Sequence, residues 1–315
     1  MIKASGRSST SERRVGIAVI VNPVKVPDID AFRALVDAGV RKIDPDGTAV
    51  EVRWAETTKA DPGTSQARSA VEDGATLVIA VGGDGTVTAC AAALAGTRVA
   101  LGIIPTGTGN LLARNLQIPL HADLALDVAL DGIDRRIDVL QSGDETYAVM
   151  AGIGLDAALI RDTDDGLKER IGWLTYIGGA RRAILGTPRQ NYSISFDNGT
   201  SIVKQRAVGV VVANVGGLTG GITLLTAARP DDGRFDVLIL SSRRGFGHWA
   251  SLLARVIARR LDDDARVHIT QAQQVTITTD ALAPTQFDGE HRGDTRELSV
   301  TVRPGALVVR CPAKA

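Results

Sequence analysis

Short aliphatic runs alternate with helical periodicities over the first part of the chain. Val15-Gly-Ile-Ala-Val-Ile-Val21, Thr76-Leu-Val-Ile-Ala-Val81 and Arg98-Val-Ala-Leu-Gly-Ile-Ile104 are apolar at nearly every position. That is the pattern of strands buried on both faces. Thr48 to Trp54 alternates as a further strand. Between these runs, Asp30 to Val40, Gln66 to Asp73, Val87 to Ala95 and Leu111 to Asn115 carry helical patterns. Buried strands separated by helices predict an α/β unit with a parallel, doubly wound sheet, spanning Val15 to Asp138.

From about Val139 to Ala315 the texture changes. Tyr192-Ser-Ile-Ser-Phe196, Val275-Thr-Ile-Thr278 and Leu298-Ser-Val-Thr-Val302 alternate apolar and polar residues, and Ala207 to Ala213 and Phe235 to Leu240 are further β-rich runs. Many short strands with turn residues between them predict an antiparallel sandwich or barrel. Helical patterns interrupt it at Leu167 to Leu185 and His248 to Leu261. The last residues are free to return to the first unit, and a cleft is expected between the two.

Composition narrows this picture. A chain of 315 residues with 44% apolar content accommodates two domains with sizeable cores. The 36 basic and 36 acidic residues cancel, which removes the basic excess expected of a nucleic-acid binder. Cys90 and Cys311 are too far apart in sequence to frame a disulfide scaffold or zinc site. The four histidines, His121, His248, His268 and His291, have no metal-ligand spacing. No apolar stretch approaches the roughly 20 residues that span a bilayer. Met1 to Arg14 is rich in Ser, Thr and Arg, lacks the apolar segment of a secretory signal, and is expected to be an unstructured tail. The expectation is a cytoplasmic protein whose membrane contact is peripheral. Aromatic and basic residues mixed over Leu167 to Leu185 and Arg243 to Arg266 suit either an anionic lipid surface or helices packed on the sandwich. The sequence leaves open whether the chain forms a homo-oligomer.

The chemistry concentrates at two Gly-rich loops. Gly82-Gly83-Asp84-Gly85-Thr86 follows one buried strand and opens a helix. Glycines let backbone N–H groups approach a ligand, and a helix N-terminus favours phosphate. Asp84 among phosphates would repel them, which points to an intervening Mg²⁺. Pro105-Thr106-Gly107-Thr108-Gly109-Asn110 has the same strand–loop–helix context, with Thr106 and Thr108 able to donate to phosphate or ribose. Asn22-Pro23 follows the first strand and is expected at the same sheet edge. Gly152-Ile-Gly-Leu-Asp-Ala157 matches a dinucleotide fingerprint but lies at the change of texture. It is read as a close-packed turn.

GGDGT followed by PTGTGN resembles the nucleotide site of the diacylglycerol kinase catalytic-domain family, which includes bacterial lipid kinases and sphingosine kinases and is related to NAD kinases. The likeness extends from Val15 through nearly the whole chain. It implies ATP bound by Asn22, Pro23, Gly82, Gly83, Asp84, Gly85, Thr86, Val87, Thr88, Thr106, Gly107, Thr108, Gly109 and Asn110, with Thr57 or Thr58 also in reach. Three positions depart from the family: Thr88 and Ala89 stand where it often has N-E after GGDGT-x, and Val26 stands in place of the first-loop glycine. In Arg229-Pro-Asp-Asp-Gly-Arg-Phe-Asp236, which by composition is an Asp-Gly turn, the resemblance implies a structural Mg²⁺ held by Asp232 and the carbonyls of Arg229 and Arg234. In Phe287-Asp288-Gly289-Glu290, by itself an ordinary hairpin, it implies a general base, Glu290 in preference to Asp288, with Asp84 the next candidate. The implied reaction is phosphorylation of a lipid alcohol, most simply diacylglycerol. An NAD kinase, or a non-catalytic lipid- or nucleotide-binding protein on the same fold, are the rivals.

Overall fold

The structure, a computed structural model, describes residues 15–154, 189–217, 225, 228–241 and 267–313. The N-terminal tail, the two interrupting helical patterns and residues 155–157 of the G-x-G segment lie outside the described residues.

The first unit runs β1 (Val15–Val21), α1 (Ile29–Ile43), β2 (Val50–Glu56), α2 (Thr64–Glu72), β3 (Leu77–Gly82), α3 (Asp84–Leu94), β4 (Ala100–Pro105), α4 (Leu111–Asn115) and α5 (Ala122–Asp131). Every residue of β3 and β4 is buried, as expected of strands covered by helices on both faces. Asp28 caps α1 by accepting from the Ala31 amide, and Arg41 and Lys42 end it. β1, β2, β3 and β4 pair in parallel in the order β2-β1-β3-β4. The chain turns to one side of β1 and then to the other, so the switch point lies between β1 and β3. Open α/β sheets bind ligands at the carboxyl ends of such strands.

The second set comprises β5 (Ile133–Ser142), β6 (Glu145–Tyr147), β7 (Met150–Gly154), β8 (Gln190–Phe196), β9 (Ser201–Ala207), β10 (Gly209–Ala213), β11 (Phe235–Leu240), β12 (Val267–Ala272), β13 (Gln274–Phe287) and β14 (Glu290–Cys311). Its pairings with one another are antiparallel, along β12-β11-β10-β7-β13-β14, with β8–β9 and β5–β6 branching off. β14 joins the halves. Its first part pairs with β13, while Val308 and Val309 lie parallel to Ala100 and Leu101 of β4. The architecture is thus a parallel N-terminal sheet continued into an antiparallel β-rich half, with an apolar cluster on each side.

One reading is corrected. Met150 to Gly154 is not a turn; it is a fully buried strand between β10 and β13. Gly154 serves close packing: a Cβ there would lie 2.5 Å from the Tyr192 hydroxyl. The two cysteines are free and buried, and burial pushes the Cys90 thiol up to about 12, which keeps it protonated and inert.

Candidate active site

The two Gly-rich loops lie against each other at the end of β3 and β4. A Cβ on Gly107 would sit 2.7 Å from Gly83 Cα, closer than any side chain tolerates, so the backbones touch because both positions lack one. Gly82 is bare for another reason: its Cβ would meet the Thr86 side chain at 2.6 Å. Helix α3 begins at Asp84, directly after Gly83, so Asp84, Gly85 and Thr86 form its amide-rich first turn.

Asp84 has a task of its own. Its Oδ2 accepts from the Asn110 amide at 2.9 Å and its Oδ1 from the Leu111 amide at 2.6 Å. The carboxylate therefore ties the first loop to the start of α4. Asn110 completes the tie from a left-handed backbone, φ 49°, accepting from the Gly107 amide and donating to the Gly107 carbonyl. Two main-chain amides thus take up one side of the Asp84 carboxylate.

Around these loops opens a cleft of about 540 Å³, lined by Asn22, Thr58, Gly83, Gly85, Thr108 and Gly109 among others. Asn22 holds the end of β1 to β3 through its amide and the Val81 carbonyl, and its Oδ1 accepts from the Val24 amide. Lys25, Lys59 and Pro62 also line the cleft. Exposed lysines on two separate loops carry no sequence signal, and only the fold brings them to one wall.

Other expected contacts turn elsewhere. Val87 and Thr57 are buried, and the Thr57 amide bonds to the Val21 carbonyl. Thr88 donates its hydroxyl to Asp288 Oδ2 at 3.0 Å. The Thr106 hydroxyl is buried with no hydrogen-bond partner among the described residues, and Pro23 stays at the surface next to Asn22.

The Asp-Gly-Glu segment joins β13 to β14. Asp288 and Gly289 have φ of 47° and 87°, both left-handed, as a tight two-residue hairpin requires. The turn separates the two carboxylates. Asp288 is buried, and accepts from the Ala148 amide at 3.0 Å, the Val149 and Met150 amides at 2.9 Å each, and Thr88. Burial pushes its carboxyl above the ordinary range while the bonds from Met150, Ala148, Val149 and Thr88 pull it down. Every one of these partners is a donor, which suits the ionised form. Asp288 thus anchors the start of β7, with both carboxylate oxygens engaged by these donors. Glu290 stays exposed, and its Oε1 lies 3.0 Å from where a Gly85 Cβ would be.

At Asp232 the side chain is exposed and Oδ1 accepts from the Arg234 amide at 3.0 Å. Next to it the buried Asp138 accepts from the Gly233 and Gly305 amides at 2.7 Å each. Burial raises the Asp138 carboxyl, and Asp232 and Asp231 raise it further. Among the described residues no three His, Cys, Asp or Glu side chains converge as a metal cluster.

Comparison with known proteins bears on this geometry. Residues 17–142 match the diacylglycerol kinase catalytic domain, and residues 148–311 match the YegS C-terminal NAD kinase beta sandwich-like domain. The chain belongs to the diacylglycerol kinase catalytic-domain family. It is 31% identical to a "Probable lipid kinase YegS-like" from Chromohalobacter salexigens over 282 residues, covering 84% of each chain. It is 27% identical to a diacylglycerol kinase from Bacillus subtilis over 278 residues, 87% of this chain and 89% of that one. Against an uncharacterized Synechocystis protein the match is 27% over 249 residues, 77% of this chain, and spans 56% of that protein's length. The fold is that of a diacylglycerol kinase crystal structure from Bacillus anthracis, with TM-score 0.70, 20% identity, and coverage of 95% and 97% of the two chains. As a family member, the chain has a phosphotransferase's ancestry, and the cleft between the Gly-rich loops occupies the matched catalytic domain.

Proposed function

We propose that this family member is an ATP- and Mg²⁺-dependent kinase that phosphorylates a lipid hydroxyl, with diacylglycerol to phosphatidic acid as the first reaction to test. The observation that carries the reading is Glu290. A carboxylate from the β-rich half stands over Gly85, in the first turn of α3, where two Gly-rich loops meet.

The cleft suits a polyphosphate. Its floor is bare of side chains at Gly83, Gly85, Gly107 and Gly109, and Lys25 and Lys59 bring positive charge to its wall. Thr58, Thr108 and Asn22 add polar contacts. Bound there, ATP supplies the phosphoryl group and Mg²⁺ neutralises its charge. The residues of the chain do the rest. Asp84 and Asn110 keep the loops at their spacing, the α3 amides orient phosphate oxygens, and Glu290 takes the proton from the acceptor hydroxyl, which is too weak an acid to ionise alone. Membrane contact is peripheral in this reading; among the described residues no helix is long and apolar enough to cross a membrane.

Two predictions follow from this layout. Gly107→Ala pushes the loops apart, so ATP affinity is expected to fall roughly 10-fold or more, about 1.4 kcal/mol, with the fold retained. Nucleotide titration by calorimetry checks it, and wild-type affinity in the variant would remove the phosphate-loop assignment. The second concerns the distal Mg²⁺. Exposed Asp232, in acidic surroundings and on a turn with carbonyls of Arg229 and Arg234 in the same segment, fits a hard cation that takes oxygen ligands. Added Mg²⁺ is then expected to raise the melting temperature without ATP, by mass action, and Asp232→Ala to abolish that rise. An equal Mg²⁺ response in both proteins would exclude Asp232 as the ligand.

A further inference from the structure

The same hairpin carries a charged side chain that the mechanism above leaves unused. Glu290 and Arg292 are two apart near the start of β14, so the alternation of a strand puts them on one face. Arg292 Nη2 lies 3.0 Å from Glu290 Oε2, and Arg292 Nε lies 3.1 Å from Glu145 Oε2. Glu145 begins β6, which packs on α3, the helix whose first turn forms the phosphate loop. One guanidinium thus links the β13–β14 hairpin to a strand seated on the nucleotide half.

All three side chains are a third to a half exposed. A bridge of that kind adds little to folding stability. Its consequence is geometric. Glu290 faces a loop built to hold a polyanion, and an unrestrained carboxylate there would be repelled by the phosphates. The guanidinium is a rigid planar fork. By taking Oε2 it leaves Oε1, the oxygen over Gly85, as the proton acceptor. Glu145 engages a different nitrogen of the same fork and so opposes the drift of Arg292 toward the phosphates.

We infer that Arg292, tethered by Glu145, is a positioning residue that aims Glu290 at the acceptor hydroxyl. The inference rests on Glu290 being the base, as proposed above. Lipid phosphorylation by full-length wild type, R292Q, E290Q, the double variant and E145Q tests it, with kcat, KM for ATP and melting temperature read for each. R292Q is expected to lose roughly 10- to 100-fold in kcat, the scale of a misplaced catalytic group, with KM for ATP and melting temperature unchanged. E145Q, which loosens Arg292 without touching Glu290, shifts kcat the same way by less. Adding R292Q to E290Q costs nothing further, because a residue acting through Glu290 has nothing left to position. Wild-type kcat in R292Q, a raised KM in place of a lowered kcat, or an equal loss in the E290Q background would each overturn the inference while leaving Glu290 as the base. Wild-type turnover in E290Q itself would overturn the base assignment and this inference together.

Discussion

Replacing Glu290 by glutamine is expected to cost roughly 10²–10⁴-fold in kcat, the usual range for a general base, while nucleotide affinity and melting temperature stay near wild type. The change removes the proton-accepting charge and keeps the shape. The side chain is exposed, and among the described residues its ion pair is with the partly exposed Arg292, so little stability depends on it. Turnover under saturating ATP, with binding measured separately, separates chemistry from affinity. Full activity in E290Q would place the base elsewhere.

Asp288→Asn is expected to behave in the opposite way, losing about 3 kcal/mol of stability because a buried, multiply bonded acceptor is disrupted. Three main-chain amides and the Thr88 hydroxyl all donate to this one carboxylate. Asparagine replaces one acceptor oxygen with an NH₂ group, which then faces donors it cannot bond. The apparently conservative change is therefore severe here. Urea denaturation followed by fluorescence checks it, and an unchanged midpoint would show that the anchor is dispensable. The pair of variants discriminates two carboxylates separated by one glycine: one is expected to fail in chemistry, the other in folding.

That distinction lies beyond the residues themselves, where the family resemblance alone favours Glu290 over Asp288. Their difference comes from a turn with two left-handed residues and from amides of residues 148–150, distant in the chain. The parallel half was more legible. β1, β3 and β4 are covered on both faces, so they read as unbroken aliphatic runs, and the loops between strand and helix announce themselves by glycine. Helix α3 begins at Asp84 rather than Val87, because glycine and aspartate are poor markers of a helix interior yet serve well in its first turn. β5 escaped notice since its first half, Ile-Asp-Arg-Arg, is largely exposed and only its second half is buried. In β14 the alternation of Leu298 to Val302 was visible, while its charged start and the Pro304-Gly305 irregularity masked a strand running from Glu290 to Cys311. Lys25 and Lys59 were missed for a simpler reason: their role depends on proximity in space, not on pattern.

Family membership leaves the acceptor to experiment. The most direct measurement is transfer of radiolabel from γ-labelled ATP, with Mg²⁺, to a panel of lipid alcohols in mixed micelles, with NAD offered in parallel. Label is expected in a lipid product, diacylglycerol first among the panel, and to be lost in E290Q. Label appearing on NAD, or on no acceptor at all while ATP binds, would contradict the lipid kinase account.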